Sequence, residues 1–211
     1  MVAGRFITLE GGEGCGKSTQ ITLLAERLRE AGKEVLSTRE PGGTELAERI
    51  RALVREESAD PPNARAETLL FLASRAQLVE NVIRPALASG TWVLCDRFAD
   101  STFAYQGYGR GLDIAGLKML NSFATDGLIP DKTILLDVSP ETAAKRMRIR
   151  EQATNTTADR MERAGDDFHM RLKNGFLEMA AAEPERFLVV AADGGEEEVA
   201  EKIWSLIRHM L

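Results

Sequence analysis

The stretch Gly11-Gly12-Glu13-Gly14-Cys15-Gly16-Lys17-Ser18 decides the fold of this chain. It has the spacing G-x-x-x-x-G-K-S of a phosphate-binding loop. The apolar run 6–9 before it predicts a buried strand, and 19–28 after it has apolar residues at helical spacing. A loop between such a strand and such a helix is the setting in which this motif binds a nucleoside triphosphate.

The residue types of the loop explain its chemistry. Glycines let backbone N–H groups approach phosphate oxygens, and the following helix adds the positive end of its dipole. The charge of Lys17 suits the outer phosphates, and the Ser18 hydroxyl suits Mg²⁺. The predicted ATP-binding residues of the loop are Gly11, Gly12, Glu13, Gly14, Cys15, Gly16, Lys17, Ser18 and Thr19.

Composition limits the other possibilities. The chain has 211 residues, is 28% charged and carries a formal net charge of −6, which argues against general nucleic-acid binding. No apolar run approaches a membrane span, and no signal peptide is evident. Cys15 and Cys95 form no disulfide framework, so we expect a cytoplasmic protein with no nucleic-acid or membrane partner.

Helix and strand patterns alternate after the loop and predict one domain over 1–211. Further strands are predicted at 33–38, 91–95, 133–136 and 186–190, and helices at 45–57, 66–88, 98–106, 114–125, from 140, at 166–182 and 196–210, with a loop at 107–111. The alternation predicts an α/β fold, a three-layer, doubly wound, parallel five-stranded sheet with the ligand at the carboxyl ends of its strands. The wide apolar stripe of 66–88 predicts burial on more than one side, in part by a second subunit.

Two predicted strands end in a carboxylate, at Asp96 and at Asp137. In phosphate-loop enzymes such an acid lies near the metal. We favour Asp96, because Arg97 follows it directly, whereas Asp137 has a structural role available at a helix entrance. The forked guanidinium of Arg97 is the best candidate for an acceptor phosphate, the alternative being an ion pair with a nearby carboxylate.

Two further patterns each allow a functional and a structural interpretation. Phe71 and Arg75 lie four apart on one predicted helix, which suits a nucleobase, yet a core Phe with Arg at its edge is simpler from the residues alone. The basic run 145–150 borders a polar segment at 151–158, predicted to be mobile, that continues to Arg160 and Arg163. It is either a solvated helix face or part of a short mobile lid, about 146–163, that brings arginines to the transferred phosphate.

Four stretches together resemble the thymidylate kinase family of nucleoside monophosphate kinases, in its bacterial form. They are 9–18, 38–44, 96–98 and 101–107, and the resemblance extends over nearly the whole chain. It implies a P-loop kinase that transfers the γ-phosphoryl group of ATP to dTMP, giving dTDP for dTTP biosynthesis. It also implies Mg²⁺ as cofactor and a homodimer.

The resemblance implies residue roles as well. Phe71 would stack on thymine, Arg75 would donate to a base carbonyl, and Thr102 would lie near the N3 edge. Tyr105 would occupy the space of a ribose 2′-hydroxyl, and Glu13 would lie near the sugar and the metal. The implied dTMP-binding residues are Glu13, Arg39, Pro41, Phe71, Arg75, Arg97, Ser101, Thr102, Tyr105 and Gln106, and the implied metal-site residues are Ser18, Asp96 and Glu13.

The family has two types, which differ in where the catalytic arginine lies. Gly14 occupies the loop position at which one type carries a basic residue, so this chain resembles the type with a lid arginine. Arg150 is the nearest match and Arg146 also fits ATP binding, with Arg148 and Arg160 as alternatives. The implied catalytic residues are Lys17, Arg97, Arg150 and Glu13.

Two other functions remain possible at this point. One is a different monophosphate or deoxynucleoside kinase on the same scaffold. The other is a nucleotide-dependent switch that binds a partner protein. The pair Asp96-Arg97 and the basic run favour a second phosphate-bearing substrate over a switch.

Overall fold

The computed structural model describes residues 4–56, 58–154 and 165–211. Within these ranges, five strands and nine α-helices alternate along the chain. The strands are β1 (Phe6–Glu10), β2 (Val35–Arg39), β3 (Trp92–Asp96), β4 (Lys132–Asp137) and β5 (Phe187–Ala191). The helices are α1 (Lys17–Glu30), α2 (Glu45–Arg55), α3 (Ala64–Leu78), α4 (Arg84–Ala88), α5 (Ala99–Thr102), α6 (Ile114–Thr125), α7 (Pro140–Thr154), α8 (Asp166–Ala182) and α9 (Glu196–Ile207).

The strands form one parallel sheet in the order β2-β3-β1-β4-β5, so the predicted α/β fold is confirmed. Leu9 on β1 and Arg39 on β2 both pair with Asp96 on β3. The carboxyl ends of these three strands therefore meet at one edge of the sheet. This edge positions the phosphate loop, which follows β1, beside Asp96 and Arg97.

Helices cover both faces of the sheet, as a three-layer fold requires. On one face, Ile7 and Leu9 pack in a cluster with Leu28 of α1 and Ile203 of α9. On the other face, Phe6 packs with the buried Phe98. All five residues of β1 are buried, which explains why the strand is apolar at Phe6, Ile7 and Leu9, while the buried Thr8 hydroxyl bonds Thr133 Oγ1 at 2.9 Å. No helix among the described residues is long and apolar enough to span a membrane.

Three local predictions need correction. The predicted helix 66–88 is divided by a π-helical turn, Val79–Ile83, that ends two residues before Pro85, a residue without the N–H that an α-helix needs there. The predicted loop at 107–111 begins as helix, because a π-helical segment, Phe103–Gly109, follows α5. Its glycines serve close packing: a Cβ on Gly107 or Gly109 would collide with side chains of α6 and α8.

The third correction concerns the polar segment at 151–158. Helix α7 continues through Thr154, so the first four residues of that segment are helical. The remainder of the predicted segment, together with Arg160 and Arg163, lies outside the described residues. The prediction of a mobile lid at about 146–163 therefore stays a prediction.

A buried ion pair joins Arg186, the residue before β5, to Asp100 on α5. Arg186 donates to both carboxylate oxygens of Asp100, at 2.6 and 2.8 Å, and to Thr133 Oγ1 at 2.8 Å. The side chain of Asp100 is only 2% exposed. Removing one partner of such a pair leaves an uncompensated buried charge, which destabilises strongly.

We expect Arg186→Leu to lower the free energy of unfolding by about 3–5 kcal/mol, measured by urea denaturation. The matched control is Arg27→Leu, which breaks contacts to Glu197 and Glu201, carboxylates that are 79% and 68% exposed. That control should cost about 1 kcal/mol or less. Equal losses in the two variants would contradict a special role for the buried pair.

Candidate active site

The phosphate loop curls around its own lysine. Gly16 precedes α1 with φ of 97°, a left-handed conformation that favours glycine. Lys17 Nζ donates to the carbonyl oxygens of Gly11 and Gly12, at 3.0 and 2.9 Å. The ammonium group is therefore held at the centre of the loop, where a phosphate-binding loop receives the outer phosphates.

The acid at the end of β3 lies against the start of α1. Ser18 Oγ donates to Asp96 Oδ2 at 2.7 Å. Asp137, the alternative acid, instead pairs with Lys173 at 2.8 Å. The described residues contain no group of three or more His, Cys, Asp or Glu side chains able to hold a metal by themselves. A hydroxyl beside one carboxylate is the type of donor set that Mg²⁺ uses when nucleotide phosphates complete its coordination.

Arg97 joins the loop after β3 to the phosphate loop. Its guanidinium donates to Glu13 Oε1 at 2.7 Å and to the Gly11 carbonyl oxygen at 3.2 Å. The Tyr105 hydroxyl donates to the same Glu13 oxygen at 2.8 Å, and the Tyr105 ring lies under the guanidinium at 4.9 Å. In this structure Arg97 therefore forms an ion pair with a nearby carboxylate, which was the alternative interpretation of this residue.

The charge of Glu13 is fixed by these neighbours. Burial opposes ionisation, but Arg97, Lys17, the Tyr105 hydroxyl and Arg150 outweigh it and lower the pKa of Glu13 to about 2. The carboxylate is therefore ionised at every pH at which an enzyme of this type is assayed. Its negative charge keeps two cations close together on one side of the cavity.

A second cluster of hydrogen-bonded side chains surrounds Arg75 in the last turn of α3. Arg75 donates from Nε to Glu40 Oε2 at 2.8 Å, from Nη1 to Thr102 Oγ1 at 2.8 Å and to Asn121 Oδ1, and from Nη2 to the Phe98 carbonyl oxygen at 3.0 Å. The residue is 2% exposed. Arg75 Nη2 also lies 2.6 Å from Glu40 Oε2, so a ligand carbonyl would have to share a donor that Arg75 already uses. The stretch at 38–44 contains Glu40, but the sequence does not show that Glu40 pairs with Arg75.

One cavity of about 820 Å³ connects the two clusters. Nearly all predicted site residues line it; Gly11 and Gly12 do not. The predicted residues in its wall are Glu13, Gly14, Cys15, Gly16, Lys17, Ser18, Thr19, Arg39, Pro41, Phe71, Arg75, Asp96, Arg97, Ser101, Thr102, Tyr105, Gln106, Arg146 and Arg150. A single cleft thus holds the phosphate loop at one side and the Phe71 pair at the other.

Sequence reasoning missed two further arginines of the wall, Arg51 and Arg55 on α2. They lie four apart and so share a helix face, a signal that was available in the sequence. Arg51 Nη1 donates to the Pro41 carbonyl oxygen at 3.0 Å. Burial, together with Arg55 and Arg39, lowers the pKa of Arg51 from its ordinary value, the mark of a positively charged cleft.

Arg39 lies at the same end of the cleft, where the Glu48 carboxylate binds its Nη2 through both oxygens, at 2.9 and 3.1 Å. Its peptide neighbours Glu40 and Pro41 are joined by a cis bond. Four arginines, Arg39, Arg51, Arg55 and Arg97, thus line the cavity in addition to the lysine of the phosphate loop. Their charges suit a further phosphate group beside those on the phosphate loop.

A parallel sheet of this order, a phosphate loop and further arginines in the same cleft define a P-loop kinase of the nucleoside monophosphate type. The family model described as "Thymidylate kinase" matches residues 9–203. The chain is 50% identical to a thymidylate kinase of a Synechococcus strain, covering 98% of this chain and 95% of that protein. It is 48% identical to a thymidylate kinase of Deinococcus radiodurans, covering 98% of each chain.

Solved structures agree with this family. The crystal structure of thymidylate kinase from Ehrlichia chaffeensis superimposes with a TM-score of 0.79 at 33% identity, covering 97% of this chain and 99% of that one. The chain belongs to the thymidylate kinase family.

The low pKa of Glu13 predicts how a Glu13→Gln variant responds to pH. We expect kcat to fall by about tenfold or more, because the variant removes the charge that orients Arg97. Since the pKa lies below the ordinary value of 4.5, no protonation of Glu13 contributes near neutrality. The ratio of wild-type to variant kcat should stay constant from about pH 5.5 to 9. A ratio that shrinks toward the acid end would show that Glu13 titrates in this range.

Proposed function

We propose that the cavity binds ATP on the phosphate loop and dTMP at the end lined by Phe71 and Arg97. The family to which the chain belongs phosphorylates dTMP with ATP, forming dTDP and ADP on the way to dTTP. The observation that carries the residue assignments is the contact between Arg97 and Glu13, at 2.7 Å. It brings an arginine suited to an acceptor phosphate directly against the loop suited to the donor phosphates.

On the ATP side, Lys17 and the loop N–H groups bind the outer phosphates. Arg146 lies beside the loop, donating from Nη2 to the Gly194 carbonyl oxygen at 2.9 Å, and it lines the same cavity. This position suits the nucleoside part of ATP. Ser18 and Asp96, with Glu13 nearby, would hold Mg²⁺, which neutralises phosphate charge when it is bound.

On the dTMP side, the half-buried Phe71 offers its ring to the base, and Thr102 and Gln106 lie deeper in the wall. Tyr105 closes the space beside Glu13, where its hydroxyl is bound, so a ribose 2′-hydroxyl would meet an occupied position. Arg97, with Arg39 at the same end, receives the acceptor phosphate. No strong general base is required, since that phosphate is already an anion at neutral pH.

Assays of ADP release test the acceptor. We expect release with dTMP, and much less with dUMP, dCMP, dGMP or the nucleoside thymidine, which lacks the phosphate for Arg97. Equal rates on all five would contradict the roles of Phe71 and Tyr105. ATP consumption that needs no added acceptor would favour a nucleotide switch instead.

Arg150 is our candidate for the arginine that stabilises the transferred group. It lines the cavity, and its charge contributes to the low pKa of Glu13. Arg148, two residues earlier on α7, is exposed and is not part of the cavity wall. Arg146 binds the Gly194 carbonyl, and Arg160 lies outside the described residues. Positive charge near the transferring phosphoryl group stabilises the transition state more than the bound substrates.

We therefore expect Arg150→Ala to lower kcat by about 10³-fold while the Kd for dTMP changes by about threefold or less. Arg148→Ala is the matched control on the same helix and should retain nearly full activity. Steady-state kinetics and calorimetric titration with dTMP measure the two quantities. A kcat loss below about tenfold in Arg150→Ala would reject the assignment.

We also propose a cytoplasmic homodimer. The packed helices α3 and α6 expose Leu69 by 58%, Met119 by 74% and Phe123 by 88%. Apolar side chains of this size grouped on neighbouring helices are typical of a protein–protein interface. Cys15 and Cys95 are free and buried, which supports a reducing compartment.

Light scattering coupled to size-exclusion chromatography tests the dimer. We expect twice the chain mass of 23.2 kDa for the wild type and the chain mass itself for Phe123→Glu, because a charge in an apolar interface is costly. Met170→Glu is the control, since Met170 is 63% exposed and lies on α8, not on α3 or α6. A monomeric wild type would contradict the proposal.

A further inference from the structure

Glu10, the last residue of β1, is a fully buried carboxylate that the proposed reaction does not use. Its Oε1 accepts from the Phe98 backbone N–H at 2.7 Å and from the Ser101 N–H at 3.3 Å. Its Oε2 accepts from the Ser101 hydroxyl at 2.6 Å. Both oxygens thus bind donors of the segment that directly follows Arg97.

Ser101 links Glu10 to Arg97 through its hydroxyl group. The hydroxyl has a single hydrogen, and Glu10 takes it. A lone pair of Ser101 Oγ is therefore directed to Arg97 Nη1, which lies at 3.3 Å. Arg97 itself has φ of 69°, a left-handed conformation that is unfavourable for a residue with a side chain. The Phe98 N–H bond to Glu10 begins one residue later and holds the backbone in this turn.

We propose that Glu10 is a positioning residue, whose two carboxylate oxygens fix the Ser101 hydroxyl and the turn at Arg97 and so aim the guanidinium at the acceptor phosphate. The inference rests on the proposed function, in which Arg97 binds that phosphate. Glu10 acts through Ser101 and Phe98 and touches no substrate itself.

The arrangement uses both oxygens of the carboxylate as acceptors. A glutamine has one oxygen and one NH₂ group. If its NH₂ group faced Phe98, two donors would meet at 2.7 Å. If the NH₂ group faced Ser101, the hydroxyl would lose its acceptor and turn, so its lone pairs would no longer be fixed toward Arg97. An apolar residue here would leave the Phe98 N–H and both Ser101 donors without an acceptor, which explains a charged residue at a buried position.

Burial of the Glu10 carboxylate has an electrostatic cost. Burial and the nearby charge of Asp100 raise the pKa of Glu10 to about 7, against the favourable bonds from Ser101 and the charge of Arg97. Arg186 forms its ion pair with Asp100 and not with Glu10. A buried acid kept at this cost beside Arg97 is consistent with a role in orienting that arginine.

Glu10→Gln tests the proposal through two ligands, dTMP and thymidine, titrated calorimetrically. Misaligning one charge-assisted hydrogen bond should raise the Kd for dTMP by about tenfold. The Kd for thymidine, which has no phosphate, should change by about twofold or less. A variant that merely loosens the fold would weaken both ligands alike, so equal weakening, or no weakening, would overturn the proposal.

Three further variants make the result decisive. Ser101→Ala removes the same link without altering Glu10 and should give the same dTMP-selective loss, even if Glu10→Gln fails to fold. Arg27→Leu breaks contacts with two exposed carboxylates away from this path, and it should leave the ratio of the two Kd values unchanged. Arg97→Ala must itself weaken dTMP selectively. If it does not, the proposed role of Arg97 fails; if it does and Glu10→Gln does not, the inference alone fails.

Discussion

The ion pair between Arg97 and Glu13 is the contact on which the rest of the site depends. It joins the loop after β1 to the loop after β3, two neighbouring parallel strands whose carboxyl ends meet at one edge. Side chains that lie more than eighty positions apart in sequence therefore meet in the cavity wall, where they are 17% and 18% exposed. The doubly wound sheet creates that meeting point.

Because the strand ends meet at one edge of the sheet, charged side chains from several elements line one cleft. Cations from the loop, from β2, from α2 and from α7 line one cavity. Glu13 pairs with Arg97 and Glu48 pairs with Arg39, so acids hold two of these cations in place. A phosphate that binds Arg97 replaces one anionic partner by another, so the site is preorganised for negative charge and needs little rearrangement.

The sequence predicted the fold well where local pattern and tertiary structure agree. The apolar runs gave all five strands, and the helix at 114–125 has the predicted bounds. Predictions failed where distant residues decide: Gly107 and Gly109 lie in a helix, and they are glycines because Ile114 and Phe168 leave no room for a Cβ. The pairing of Arg75 with Glu40 and the role of Glu10 likewise depend on contacts across the sheet edge, which neither spacing nor composition encodes. Resemblance to a family identified the cavity wall, whereas it contained no information on these supporting bonds.

The central claim is that one cleft holds two anionic nucleotides end to end, with Arg97 at their junction. A crystal structure of the chain with dTMP and a non-hydrolysable ATP analogue tests it most directly. We predict the thymine ring against Phe71, the dTMP phosphate on Arg97, and the ATP phosphates around Lys17. A dTMP phosphate bound away from Arg97, or a thymine ring away from Phe71, would contradict this account.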